Sequence, residues 1–431
     1  MLVCLLTASV SCARGFKKNA GSSSSSKIAS SVNSESSSEE SSETVSSEEA
    51  SADAAGTGQT SKAQSKNSSL APVNNDSGYN PITPVSGNHP SMAKIISKRC
   101  YNTLSAAEKA LYDVIVNAVL NLTPRVPAPG FENIEALKAV IIAVTNDRPD
   151  LFWLSNSYGM ETGSSGTFFI PQYSLSSAGE INAKNSEISV HLSEALSRIN
   201  AGMTEYECEL ALHDWLVGRT SYDTSVSEST DASHPAFSAY GALVNKSAVC
   251  EGYSRAMQLM LNSIGIDCSL VIGVSGGGPH MWNIVKIDGE WYHLDATWND
   301  PVTPVRTGHT YFNLTTADIQ FDHSIDAANY NLPNCTATKN NYFVHDGLLV
   351  SSTSGIKDAV VSSLVRLAAI RGDTFSIRYN GSDFGAFLSD ITKNFTPFVT
   401  ESNRVSANKI SKANSYSSNS QYKVVDINLI Y

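Results

Sequence analysis

Asp288-Gly289 stands between two β-rich runs, His280-Met281-Trp282-Asn283-Ile284-Val285-Lys286-Ile287 and Glu290-Trp291-Tyr292-His293-Leu294-Asp295-Ala296-Thr297-Trp298. This pair restricts the fold more than any other feature, because Asp-Gly suits the positive-φ positions of a tight hairpin turn. A two-residue turn fixes the register, setting Ile287 opposite Glu290, Trp282 opposite Asp295 and His280 opposite Thr297. Opposed residues share a face, so His280, Trp282, Asp295 and Thr297 point the same way. His280 and Asp295 then become diagonal neighbours about 7–8 Å apart at the backbone, within side-chain reach. A carboxylate so placed can hold one imidazole nitrogen and leave the other aimed outward. Taken alone, such a pair more often only stabilises a hairpin, since cross-strand pairs of this kind are common on sheets. His293 falls on the same face nearer the turn and is expected to be structural.

Upstream, Cys250 follows Ser247-Ala248-Val249 and precedes Tyr253, Met257, Met260, Leu261 and Ile264, which recur at helical spacing until Gly265. The thiol therefore opens a helix. Unpaired N–H groups and the positive end of the helix dipole favour a thiolate there, and the thiolate is the nucleophile. Residues 268–274 read as a short apolar strand, and Ser275-Gly276-Gly277-Gly278-Pro279 as a flexible connection into the hairpin. Nucleophile before a helix, base on one strand and acid on the next is a specific order.

The runs Ala248-Val249-Cys250-Glu251-Gly252-Tyr253, His280-Met281-Trp282-Asn283 and Trp291-Tyr292-His293-Leu294-Asp295-Ala296-Thr297-Trp298-Asn299-Asp300-Pro301 resemble the transglutaminase-like superfamily. They resemble most the bacterial surface proteins that carry this domain. The resemblance covers about residues 100–330, with the motifs confined to 239–301. It implies a papain-like α+β core with Cys250 as nucleophile, His280 as base and Asp295 as orienter. Met281 departs from the alanine usual in the family, and by hairpin parity its side chain is expected to face away from the three. No cofactor is implied, and the calcium dependence of animal transglutaminases is not carried over. An acyl-transfer cysteine also needs oxyanion donors; by position the candidates for these or for the cleft wall are Trp282, Tyr240 and Tyr222. The expected chemistry is attack on an amide carbonyl through a thioester, ending in hydrolysis or cross-linking of a protein or peptide substrate. The alternative is a catalytically inactive domain of the same fold that binds protein or cell-wall ligands.

The 431 residues allow two or three domains. A formal net charge of −11 argues against nucleic acid and against generic binding to anionic membranes. Residues 1–20 read as an export or lipoprotein-like leader, with Cys12 as lipidation candidate and a cell-surface or extracellular address. Residues 21–90, rich in Ser and Glu, read as disordered linker. Any membrane association is expected only through that N-terminal anchor. The seven cysteines are widely spaced with no C-x-x-C pair, so neither a disulfide framework nor a metal site is expected.

The folded part divides into a transglutaminase-like domain, 94–335, whose segment 94–160 is helical, and a small α/β domain, 341–431. Capping boxes at Ser105/Glu108 and Thr204/Glu207 start two helices. Residues 134–145 form another helix, while 167–173 and 188–192 read as strands. His213 beside Asp214 is expected on a helix surface, and His309 and His323 to be structural. The C-terminal pattern is strand 348–351, helix 356–370, strand 374–379, helix 384–392 and strand 422–430. The whole is α+β.

Overall fold

The computed structural model describes residues 2–4, 98–132, 134–226, 233–300, 307–326 and 332–431. Cys12, the rest of the leader and the linker 21–90 lie outside the described residues. All described residues fall in one unit.

The N-terminal part contains β1 (Leu2–Cys4), α1 (Arg99–Thr103), α2 (Ala106–Leu120), β2 (Val126–Pro127), α3 (Ile134–Asp147), β3 (Leu154–Gly163) and β4 (Gly166–Tyr173). Both halves of the Ser105/Glu108 capping box form at the start of α2. The strands make an antiparallel sheet in the order β1-β3-β4-β2. Ile115, Val119, Leu137, Val140, Val144, Trp153 and Phe169 fill a core beneath it. Strand β3 has little sequence signal, since Ser, Asn, Gly and Thr make up much of it; pairing with β4 creates it.

Residues 188–192 are helical, against the expectation of a strand: α4 spans Ala178–Leu196. The β-branched alternation of Ile188-Ser189-Val190 misleads, because Ile181, Ile188, Leu192 and Ala195 follow the helical period and are the buried ones. Next come α5 (Glu205–Val217), the short parallel pair β5 (Ser221–Tyr222) and β6 (Ser247–Ala248), and α6 (Cys250–Ser263). Every residue of α6 is buried, which makes it the axis of the fold. Against it lie β7 (Cys268–Ser275), β8 (Gly278–Ile287) and β9 (Glu290–Leu294). After α7 (Thr316–Ile319), β10 (His323–Ile325) returns to the far side of β7, giving the order β10-β7-β8-β9.

The hairpin register agrees with the count, pairing Ile287 with Glu290 and Asn283 with Leu294 around Asp288 (φ 52°) and Gly289 (φ 86°). The glycine run is not a flexible connection. Gly276 (φ 60°) and Gly277 (φ 82°) make a second tight turn, with Ser275 paired to Gly278.

The C-terminal part holds α8 (Tyr342–His345), β11 (Leu349–Val350), α9 (Lys357–Ile370), β12 (Thr374–Tyr379), α10 (Phe384–Lys393), α11 (Thr396–Val405), β13 (Lys412–Asn419) and β14 (Val424–Ile430). Its sheet runs β11-β12-β14-β13. Helix α11 and strand β13 were not foreseen, because Ser, Asn and Lys populate both. One continuous apolar core extends from Ile188 to Leu429, through Tyr253, Trp282, Phe312, Tyr342, Phe375 and Val425. Among the described residues, no break in the core separates the sheet of β7–β10 from the C-terminal part.

Candidate active site

Cys250 is the first residue of α6, after Val249 in extended geometry (ψ 178°). Its approach is held by β6 pairing with β5 and by Val249 N–H donating to Ala236 O at 3.1 Å. Gly252 permits this closeness, since a Cβ there would lie 2.4 Å from the Ala236 carbonyl oxygen. Farther along, Arg255 donates to Glu251 Oε1 at 2.8 Å and to Thr145 O at 2.6 Å, and Gln258 to Asn146 O at 2.6 Å. The helix is thereby clamped to the end of α3. Tyr253 donates its hydroxyl to Asp300, tying the helix to the segment that follows β9.

His280 lies on β8 and Asp295 immediately follows β9. His280 Nε2 donates to Asp295 Oδ2 at 2.6 Å. With that nitrogen engaged, Nδ1 is left for the thiol, and Cys250 acts electrostatically on His280. The ladder ends at Asn283 and Leu294, three residues short of the Thr297 that the full hairpin count reaches. Asp295 instead turns the chain, its Oδ1 accepting from the N–H groups of Thr297 (2.9 Å) and Trp298 (3.0 Å). Cys250, His280 and Asp295 are all buried.

Burial disfavours the charged imidazole, but the Asp295 carboxylate and the bond to it, followed by Cys250, outweigh burial and raise His280 to about 10. Burial likewise pushes Asp295 up, and the charges and hydrogen bonds of His280 and His323 hold it well below the usual carboxylate range. Cations and anions thus support one another in a closed pocket.

His323, expected to be structural, belongs to this cluster. Its Nε2 is 3.0 Å from Asp295 Oδ2 and its Nδ1 is 2.6 Å from Asp322 Oδ1. It arrives because β10 pairs with β7, placing Ile325 opposite Gly273. A Cβ on Gly273 would sit 2.0 Å from Ser324 O and 2.8 Å from the Trp282 ring. A lone glycine inside an apolar strand marks a close backbone approach, and that was the available signal.

The aromatic candidates separate. Trp282 stacks on His280 with centroids 5.8 Å apart, so it walls the site, but its indole N–H donates to His293 Nδ1 at 3.0 Å. As an oxyanion donor it is corrected, because its one N–H is engaged. Burial, then His323, lowers His293 to about 3, so that ring is a neutral acceptor. Tyr240 is also corrected as an oxyanion donor, its hydroxyl being donated to Glu187. It lines a cleft of about 180 Å³ with Phe152, Lys184, His234, Glu251 and Arg255. Tyr222 lies on β5 and packs beside Val249, the residue before the thiol. Met281 does not face away: with Leu270 and Ile272 it forms the small apolar cluster that contains Cys250.

His213 is fully buried, not on the surface. Its Nδ1 meets Asp214 Oδ1 at 2.9 Å, the same oxygen takes His309 Nε2 at 2.8 Å, and Asn299 Nδ2 donates to His213 Nε2 at 3.0 Å. Two groups, His213/Asp214/His309 and His280/Asp295/His323, thus bring metal-ligand atom types within 4.8 Å of one another. Their N···O contacts of 2.6–3.0 Å are those of direct hydrogen bonds. Ligands of a tetrahedral ion would stand about 3.3 Å apart.

A thiol at a helix start, facing an imidazole and a carboxylate carried by an antiparallel sheet, defines the papain-like class of cysteine sites. Residues 194–296 match the model of the transglutaminase-like superfamily. Kyphoscoliosis peptidase of Homo sapiens is 27% identical over 148 residues, covering 30% of this chain and 22% of that protein. The Mus musculus protein of the same name is 25% identical over 175 residues, covering 36% and 26%. The chain therefore spans about a quarter of the length of these curated relatives. A solved structure of a TGase, 16% identical, covers 34% of this chain and 45% of its own with a TM-score of 0.25.

Proposed function

We propose that the protein is a cysteine-dependent acyl-transfer enzyme acting on peptide-like amides at the cell surface. Cys250 sulfur attacks the amide carbonyl carbon, the C–N bond breaks, and His280 gives its proton to the leaving amine. Water then adds to the thioester as His280 takes a proton from it, the C–S bond breaks, and His280 returns that proton to the sulfur, releasing acid and free thiol; an amine in place of water gives a cross-link. Asp295 holds the imidazole in the required tautomer. The single observation that carries this reading is the buried run Cys250–His280–Asp295, with the carboxylate 2.6 Å from the ring. The Cys250 backbone N–H, in the first helical turn, and the hydroxyl of Tyr222 are the candidate oxyanion donors. Surface placement rests on the sequence of residues 1–20 and on Cys12 alone.

One observation favours the second reading, a ligand-binding domain without turnover: the thiol and imidazole are both buried. Alkylation decides between them. Burial raises Cys208, and holds Cys268 well above the ordinary thiol value, so both should be sluggish at pH near 7. Cys250 should react at least about tenfold faster than either. A rate no greater than theirs, or one indifferent to His280→Ala, rules out the enzyme. Incubating surface peptides and peptidoglycan fragments with wild type and Cys250→Ala, then reading cleavage and new isopeptide bonds by mass spectrometry, separates hydrolysis from cross-linking.

A further inference from the structure

His323 is buried with a carboxylate oxygen against each ring nitrogen, Asp295 Oδ2 at 3.0 Å and Asp322 Oδ1 at 2.6 Å. Both contacts are hydrogen bonds only when both nitrogens carry protons, and a neutral imidazole carries one. Asp322 is built as an acceptor, taking the Tyr311 hydroxyl on Oδ2 at 2.8 Å and the Tyr422 hydroxyl on Oδ1 at 3.0 Å. The His280 and His323 rings are 5.3 Å apart, either side of the same carboxylate.

We infer that His323 is a positioning residue: a buried cation that fixes the Asp295 carboxylate and sets the pH window in which Cys250 and His280 stay ion-paired. This rests on the reading of Cys250 and His280 as nucleophile and base. Charge alternates along the line Cys250, His280, Asp295, His323, Asp322. The groups facing His323 are Asp295 and His293 from the β9 side, His280 and Trp282 from β8, Tyr311 and Trp298 from the following segments, and Asp322 beside it. Tyr422 acts through Asp322, so the C-terminal part reaches the site by hydrogen bonds. A second cation beside Asp295 shares the carboxylate with His280 and keeps the imidazolium from holding its proton too firmly. That suits a base that must return the proton to a leaving amine.

The test uses the full chain and iodoacetamide, following Cys250 by peptide mass spectrometry across roughly pH 4 to 10. His323→Gln keeps an N–H towards Asp295 and removes the charge. Loss of a neighbouring cation raises the proton affinity of the groups beside it, so the lower inflection of the profile, where Cys250 gives up its proton to the ion pair, should move up by about one pH unit. A loss of rate with that inflection unmoved, or a profile coincident with wild type, overturns the inference. Where His323→Gln does not fold, Asp322→Asn decides on the same terms, because it removes the negative charge that keeps the second proton on His323. An upward shift supports the inference and coincidence overturns it. Failure of the underlying reading is distinct: wild-type Cys250 would then react no faster than Cys208.

Discussion

Asp295 receives four hydrogen bonds, from two imidazoles and two backbone N–H groups, with no exposure to water. Its replacement is therefore the sharpest single change available. In Asp295→Asn the burial of His280 goes largely unopposed, so the ring should lose its proton near neutrality and leave the thiol protonated. Alkylation of Cys250 at pH 7 should fall at least about tenfold. An unchanged rate would show that the carboxylate does not support the ion pair. At this scale the sequence was informative where a turn fixes register. His280 and Asp295 could be placed by counting from Asp288-Gly289. His323 could not, because its position depends on β10 crossing to β7, and Gly273 signals only that some backbone comes close, not which segment. The indole of Trp282 shows the same limit: its face was legible, but its partner His293 was not.

Among the elements, the starts of polar-capped helices were readable, as at Ser105/Glu108 and Thr204/Glu207, where both halves of each box form. Segments built from Ser, Asn and Thr, such as β3 and β13, become strands only through a neighbour. Helix α5 carries a liability that its sequence hides. Glu209 is fully buried, accepting from Asn313 Nδ2 at 2.7 Å on Oε2, while its Oε1 has no hydrogen-bond partner among the described residues. Burial raises it to about 8 from an ordinary 4.5, with a smaller push from Glu205. The folded state then binds the proton more tightly than the unfolded chain. This favourable term is complete below pH 4.5 and is lost as pH rises through about 8. Glu209→Gln removes the titration, so the difference in stability between variant and wild type should grow in the variant's favour from pH 5 to 8. The growth is of the order of a few kcal/mol at most. Thermal unfolding across that range checks it, and parallel curves would show that Glu209 is not titrating there.

For the whole molecule, the question is whether residues 341–431 are an appendage or part of the machine. Composition and the strand–helix alternation suggested a separate small domain, and its helices and strands were largely legible. What no local pattern could show is that its apolar side chains join the core that surrounds α6. Tyr342 stacks on His309 with centroids 4.0 Å apart, and His345 on Tyr206 at 3.7 Å. Arg378 meets Asp318 at 3.4 Å, and Tyr422 donates to Asp318 O and Asp322 at 3.1 and 3.0 Å. A chain ending at residue 340 would expose Phe312, Leu314 and Ile319, all now fully buried, and leave Asp322 without one of its donors. Opening three large apolar side chains to water, at roughly 1.5–3 kcal/mol each, is comparable with the usual margin of a domain. The truncated chain should therefore lose its cooperative melt, bind a hydrophobic dye, and show Cys250 alkylating no faster than Cys208. Were it instead to melt cooperatively with the wild-type pH profile at Cys250, the C-terminal part would be dispensable to the site. The path from Tyr422 through Asp322 and His323 to Asp295 would then carry no influence on the thiol.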